Sequence, residues 1–395
     1  MFAFPRPGAK PVLRTAIAAF ALLGLAACQS VSVPGLGGAT GPQIDSSKPV
    51  PVALLVPKGA EGGGGVVGRS LENAALLALS EMPGRPVDLR IYDTAGDPGV
   101  TASVATTAVR EGAQILIGPL YTQSTSAATG VIAGQDINML SFSNNTAVAG
   151  GNVFILGQTF RDTANRMTAF ARNQGVGSVA IVHAQDVAGE AGRVAIAEAA
   201  AANGLSVATV GSYPLSQRGI SEAAPRIAEM IRQSGAQSVF LTANVDSDLP
   251  LISDALVNAG IAPDSVRFLG LTRWNSVASA TSLPALQGGW FTLPDQAMQS
   301  GFETRYRAAY GEMPHPLAGL AYDGVKAVGT LVASGRRDAF SGGALTAAQG
   351  FSGATGAFRL LPDGTNQRGL AVAQVQDGRV MVIDAAPKRF GRAGF

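Results

Sequence analysis

Cysteine occurs once in the 395 residues, at Cys28; histidine occurs twice, tryptophan twice, and only 14% of the side chains are charged. A single cysteine excludes a disulfide framework. With His183 and His315 as the only histidines, there is no H-E-x-x-H pair and no histidine-rich zinc set. The chain also has no G-x-S-x-G nucleophile elbow and no G-K-S or G-K-T phosphate loop. Basic residues number 29 against 27 acidic, and without Arg6, Lys10 and Arg14 of the N-terminal 27 residues the balance is 26 against 27, a net charge of −1, so there is no basic excess to hold phosphate backbones, and nucleic acid is excluded as a partner. No catalytic residue, metal or cofactor is expected.

The N-terminus does carry a pattern. Arg6, Lys10 and Arg14, with no acid among them, precede an apolar run over 15–27 that ends in small residues. At about 13 residues the run is too short for a transmembrane helix, which needs about 20, and it predicts a secretory signal peptide over 1–27. The sequence Leu25-Ala26-Ala27-Cys28 resembles a bacterial lipobox, which would make Cys28 the lipid-carrying first residue of the mature chain. Gln29 in the next position, by resemblance to enterobacterial lipoproteins, implies the outer membrane, with the protein on the periplasmic side of the envelope. Residues 28–49 are rich in Gly, Ser and Pro without a period and read as a flexible tether.

From Val50 onward, apolar runs of strand length alternate with longer Ala-rich amphipathic stretches. Strands are predicted over 52–56, 87–92, 114–117, 178–183, 206–210, 238–242 and 267–270, with helices over 69–80, 100–111 and after Gln123. Near-continuous apolar strands between helices imply parallel sheets covered on both faces. The expected fold is α/β, with two doubly wound lobes that place a binding site at the carboxyl ends of their strands.

Three constellations bear on chemistry. Gly63, Gly65 and Gly68 have G-x-G-x-x-G spacing, but Pro57 to Gly62 separate them from the preceding strand, so a helical entry loop explains them better than a dinucleotide site. Asp246 and Asp248, next to Pro250, read as a helix start rather than an acid–base pair. The third set is Tyr121-Thr122-Gln123-Ser124-Thr125-Ser126 and Ser141-Phe142-Ser143-Asn144-Asn145-Thr146, each following a strand. Such residues at helix N-termini either cradle a carboxylate or serve as N-caps, and the sequence leaves both open. Trp290, within Gly288-Gly289-Trp290-Phe291, reads as core, whereas Arg273-Trp274 follows a strand and is a candidate protein contact.

Over residues 50–385 the chain resembles the type 1 periplasmic binding proteins of the leucine/isoleucine/valine-binding superfamily. The pieces that carry the resemblance are Val52-Ala53-Leu54-Leu55-Val56-Pro57, Tyr92-Asp93-Thr94, Ile117-Gly118-Pro119, Leu140-Ser141 and Ala321-Tyr322-Asp323-Gly324-Val325. The resemblance implies three crossings between lobes, near Gln158, Leu293 and Gly369. Lobe 1 would then be 50–158 plus 293–368, and lobe 2 would be 159–292 plus 369–395. It also implies a ligand cleft using Thr122, Gln123, Ser124, Asn144 and Asn145, with Gln185 and Asp186 from the second lobe, where Val187 or Ala188 replaces the family's usual aromatic. A narrower resemblance is to penicillin-binding protein activators, carried by the anchor, by Arg273-Trp274-Asn275 and by the tail from Gly353 to Val380. It implies contact with a peptidoglycan synthase through Arg273 and Trp274. The alternative is the substrate-binding lipoprotein of an ABC permease for an amino acid or amide. Both readings are non-enzymatic and membrane-tethered.

Overall fold

The computed structural model describes residues 40–84 and 86–391. The signal-peptide and lipidation readings, Cys28 included, lie outside the described residues, as does the first half of the tether. The second half corrects the expectation of a free linker. Ile44 is buried in the core and its N–H donates to the Arg337 carbonyl at 2.8 Å, while Asn138 Nδ2 donates to the Thr40 carbonyl at 2.7 Å. One isoleucine among small and polar residues is enough to dock such a segment on an apolar surface, and composition does not register it.

The first sheet is built from β1 (Val50–Val56), β2 (Val87–Asp93), β3 (Ile115–Ile117), β4 (Asn138–Ser141) and β5 (Val153–Ile155). All its pairs are parallel and the order is β2-β1-β3-β4-β5. Helices α1 (Gly63–Ser80), α2 (Pro98–Arg110) and α3 (Thr122–Ile132) make the crossovers. Six of the seven residues of β1 are buried, as a central parallel strand with helices on both faces requires. Gly65 and Gly68 lie inside α1, where a Cβ would meet the Ala60 carbonyl oxygen at 2.8 Å and the Pro57 carbonyl carbon at 2.5 Å. The glycines therefore serve close packing of the helix on the chain that enters it.

The second sheet takes β6 (Ser178–Ala184), β7 (Ser206–Tyr213), β8 (Ser238–Leu241), β9 (Arg267–Gly270) and β10 (Trp290–Leu293). Between them run α4 (Phe160–Asn173), α5 (Val187–Ala202), α6 (Gln217–Ser234) and α7 (Leu249–Asn258). The chain then returns to the first body as α8 (Gln296–Tyr310), α9 (Gly319–Ala333), α10 (Gly342–Leu345) and a small antiparallel sheet of β11 (Phe351–Gly353), β12 (Gly356–Leu360) and β13 (Asn366–Arg368). It finishes in the second sheet with antiparallel β14 (Ala371–Gln376) and β15 (Arg379–Asp384), giving the order β15-β14-β10-β9-β8-β6-β7. The α/β fold with parallel sheets is the one the sequence pattern predicts. Gln158, Leu293 and Gly369 lie in or beside the segments where the chain passes between the bodies. Among the described residues, no helix is long and apolar enough to cross a membrane.

The start of α4 follows the first of these passages. Thr159 caps it in a reciprocal box: Asp162 N–H donates to Thr159 Oγ1, and Asp162 Oδ2 accepts from Thr159 N–H at 2.9 Å. Asp162 is buried, and that burial pushes its carboxyl up to about 6 from 3.8, against the opposing hydrogen bonds of Thr159 and the charge of Arg368. Between pH 3.8 and about 6 the folded chain thus holds a proton that the unfolded chain has released. Stability falls as pH rises through that window and is level above it. A shift of this size corresponds to about 3 kcal/mol at pH 8. Asp162→Asn keeps an acceptor for the cap and removes the buried charge, so urea unfolding should show it gaining on wild type at pH 8 and losing that advantage at pH 4. A variant more destabilised at pH 8 than at pH 4 would mean that the ionised cap is net stabilising.

Candidate functional site

The loops after β3 and β4 carry the polar residues singled out from sequence, and they open onto a cleft of about 740 Å³ between the two bodies. One wall holds Tyr121, Thr122, Ser143 and Asn144; Arg273 and Asn275 come from the other body, after β9; and Gln299 and Glu303 come from α8. Leu120, Phe142, Leu317 and Leu320 add apolar surface. The site lies beyond the carboxyl ends of parallel strands, the usual place for ligands in open α/β sheets.

A buried set of hydroxyls fixes the polar wall. Thr125 and Ser141 share a hydrogen bond of 2.8 Å, Ser141 Oγ donates to the Pro119 carbonyl at 3.1 Å, and Ser143 N–H donates back to Ser141 Oγ at 3.1 Å. This ties the β4 loop to the first turn of α3. Tyr121 stands at the N-cap of α3 and gives no side-chain cap, so the first-turn N–H groups are left facing out with their partial positive charge. Across the cleft, Arg273 donates through Nε to Asn275 Oδ1 at 3.0 Å. It makes no ion pair within 4.0 Å among the described residues, and Glu303 is the acid whose charge acts on it. Crowding by the cleft walls lowers the Arg273 pKa and Glu303 works against that shift; a guanidinium stays charged regardless. The cleft thus presents hydroxyls and backbone donors on one side, a guanidinium opposite, and a carboxylate beside it.

Comparison with known proteins agrees with this fold. The family profile described as "periplasmic binding protein" matches residues 49–379. The chain belongs to the periplasmic binding protein family. Among solved structures, a protein described as a branched-chain amino acid ABC transporter of Rhodospirillum rubrum superposes with a TM-score of 0.71 at 20% identity, covering 85% of this chain and 100% of that one. A substrate-binding protein of Desulfitobacterium hafniense in complex with Leu gives 0.59 at 16% identity, covering 85% and 100%. A solute-binding protein of R. palustris in complex with benzoate gives 0.54 at 19%, covering 88% and 98%. A curated relative, an uncharacterized protein of Rickettsia prowazekii, is 28% identical over 110 residues, which span 28% of this chain and only 29% of that one. Family membership implies a periplasmic location, and the family is one of binding proteins.

In this binding protein the sequence-predicted site residues separate into two groups. Thr122 and Asn144 line the cleft. Ser124 is buried in the first turn of α3 with no partner for its hydroxyl among the described residues, Asn145 caps a short turn by accepting from Ala147 N–H at 3.0 Å, and Gln123 points to solvent outside the cleft lining. Gln185 and Asp186 do not reach it either: Gln185 donates to Ser212 Oγ at 3.0 Å and Asp186 caps α5. Trp274 is corrected outright. It is fully buried and stacks at 5.5 Å from Phe291, in space left by Gly270 and Gly289, where a Cβ would fall 2.5 and 2.7 Å from the indole. Arg273 is exposed and lines the cleft. Trp290 is core, as read from the sequence, with Phe170 edge-on at 4.9 Å.

His183 is buried with Nδ1 3.0 Å from the Ala184 carbonyl, and His315 Nδ1 accepts from Leu317 N–H at 3.2 Å. Both fill structural roles. Among the described residues no group of three or more His, Cys, Asp or Glu side chains is placed to hold a metal. Sequence reasoning missed Gln299 and Glu303, which lie on an ordinary amphipathic helix 150 residues and more beyond the loops they face.

Proposed function

We propose that this is the solute receptor of an ABC importer, and that it takes a small zwitterion, an amino acid or an amino-acid amide. The observation that carries the reading is that Arg273 and Glu303, opposite in charge and not bonded to each other, both line a cleft of about 740 Å³ that also holds the uncapped α3 N-terminus. A carboxylate would accept from the first-turn N–H groups, Thr122 and Ser143, and Arg273 would close on it from the other body. An ammonium would donate to Glu303, and the wall of Leu120, Phe142 and Leu320 would take an aliphatic side chain. The ligands named for two similar structures, Leu and benzoate, are both small carboxylates. Closure about the three passages near Gln158, Leu293 and Gly369 would then present the loaded form to a permease, and Cys28 would hold the module at the membrane by lipid.

Regulation of a peptidoglycan synthase by contact is the second reading. It rests on the anchor pattern and the tail, because Trp274 is unavailable as a surface contact. A thermal-shift screen of residues 29–395 against free amino acids, amides and small carboxylates separates the two. Saturable stabilisation is expected, about 2.7 kcal/mol at a hundredfold excess of ligand over Kd. No shift with any of these compounds would overturn the receptor reading in favour of the contact regulator.

A further inference from the structure

A second cavity, of about 320 Å³, runs along one face of α4 and is closed by the end of α5, by β13 and by the segment that follows β15. It therefore touches both bodies at the third passage between them. Its volume falls in the range of small-ligand sites.

The two guanidinium groups that line it are already paired. Arg166 donates to Asp384 at 2.7 Å and to the Leu370 carbonyl at 2.7 Å, and Arg368 pairs with Asp323 at 2.9 Å. What remains open is neutral hydrogen-bonding capacity. The side chains of Asn165 and Asn173 have no partner among the described residues. Gln367 uses only Oε1, accepting from Arg359 at 2.9 Å, which leaves its NH₂ free; Asn203 spends its NH₂ on Thr168 and the Ala199 carbonyl, which leaves its oxygen free. At the floor the buried Asp162 commits Oδ2 to Thr159, and no cation lies within ion-pair distance of it among the described residues. Amides that both donate and accept match groups that do the same, and hydroxyls are such groups. A net-negative ligand would find no uncompensated cation there, whereas the Asp162 carboxylate at the floor can accept from a hydroxyl.

We propose that this hinge-side cavity is a second binding site, for a small uncharged polyhydroxylated solute of monosaccharide size. Bound there, the solute would bridge α4 in one body and β13 in the other, and by linkage would alter affinity at the cleft. The assignment does not depend on what the cleft binds.

Ala202 lines the cavity at the exposed end of α5, so Ala202→Trp fills the space without touching the core; Asn165→Leu removes an unpartnered amide and serves if the first variant folds poorly. Calorimetric titration of wild type with glucose, myo-inositol and N-acetylglucosamine should give saturable binding of at least one probe. Loss of one well-made hydrogen-bonding group or of the space should weaken it by about tenfold or more. Thr122→Ala, in the cleft, should leave it unchanged. Absence of binding for every probe, binding unaffected by both cavity variants, or binding lost in Thr122→Ala would each overturn the proposal. Amino-acid binding at the cleft, measured on the same variants, reports separately on the receptor reading.

Discussion

Arg368→Ala is expected to destabilise the protein by about 3–5 kcal/mol, the cost of stranding one member of a buried ion pair. The pair is nearly dry: the Arg368 and Asp323 side chains are 6% and 1% exposed, with Nη1 and Oδ2 2.9 Å apart. Arg368 also donates to the Leu156 carbonyl at 3.2 Å through Nε and to Thr355 Oγ1 at 3.2 Å, while Asp323 accepts from Ala354 N–H at 2.6 Å. One guanidinium thus ties α9, the turn before β12 and the first passage between the bodies to β13. Burial pushes the Asp323 carboxyl up and Arg368 opposes that shift, so deleting the cation leaves an acid that must be neutralised or hydrated. The single variant should melt far below wild type in calorimetry. The double variant Asp323→Leu with Arg368→Met should recover much of the loss, because a matched apolar pair leaves no uncompensated charge. A loss below about 1 kcal/mol for the single variant would mean that water reaches the site and the pair behaves as a surface one.

How far such features can be read from sequence depends on the range of the forces that make them. The strands were legible because a parallel strand buried on both faces must be largely apolar, and β1, β3 and, after Ser238, β8 are apolar throughout. The helix start at Asp248–Leu249, with Pro250 in the first turn, was legible from local chemistry. Cleft residues adjacent to strand ends, Thr122 and Asn144, were found for the same reason. Trp274 was misread because its burial is decided by Gly270 and Gly289, which only the fold brings beneath the ring. Glu303 was missed because an acid on an amphipathic helix looks like any solvated residue until α8 is laid along the cleft. Ile44 was lost in a segment whose average composition is that of a linker. Asp323 was noticed as part of a motif and Arg368 falls within the tail from Gly353 to Val380, yet their 2.9 Å contact joins positions 45 residues apart that no periodicity relates.

The ligand reading makes the other large demand, and it falls on two side chains. Arg273→Ala and Glu303→Gln should each weaken binding of the cognate amino acid by about 10–100-fold, since a hydrogen bond to a charged group contributes about 1.5–3 kcal/mol. The melting temperature without ligand should hardly move, because among the described residues the only side-chain bond of Arg273 is to Asn275 and that of Glu303 is to Gln299. Arg273→Lys keeps the charge but loses the planar fork, and should fall between. The two variants report on opposite ends of the ligand, so their combination distinguishes chemistries. Losses in both support a zwitterion held by carboxylate and ammonium. A loss in Arg273→Ala with none in Glu303→Gln would instead mean a simple carboxylate, in which case Glu303 repels the ligand and its neutral form binds more tightly. Unchanged affinity in both would remove the pair from recognition and, with it, the reason for assigning a zwitterion to this cleft.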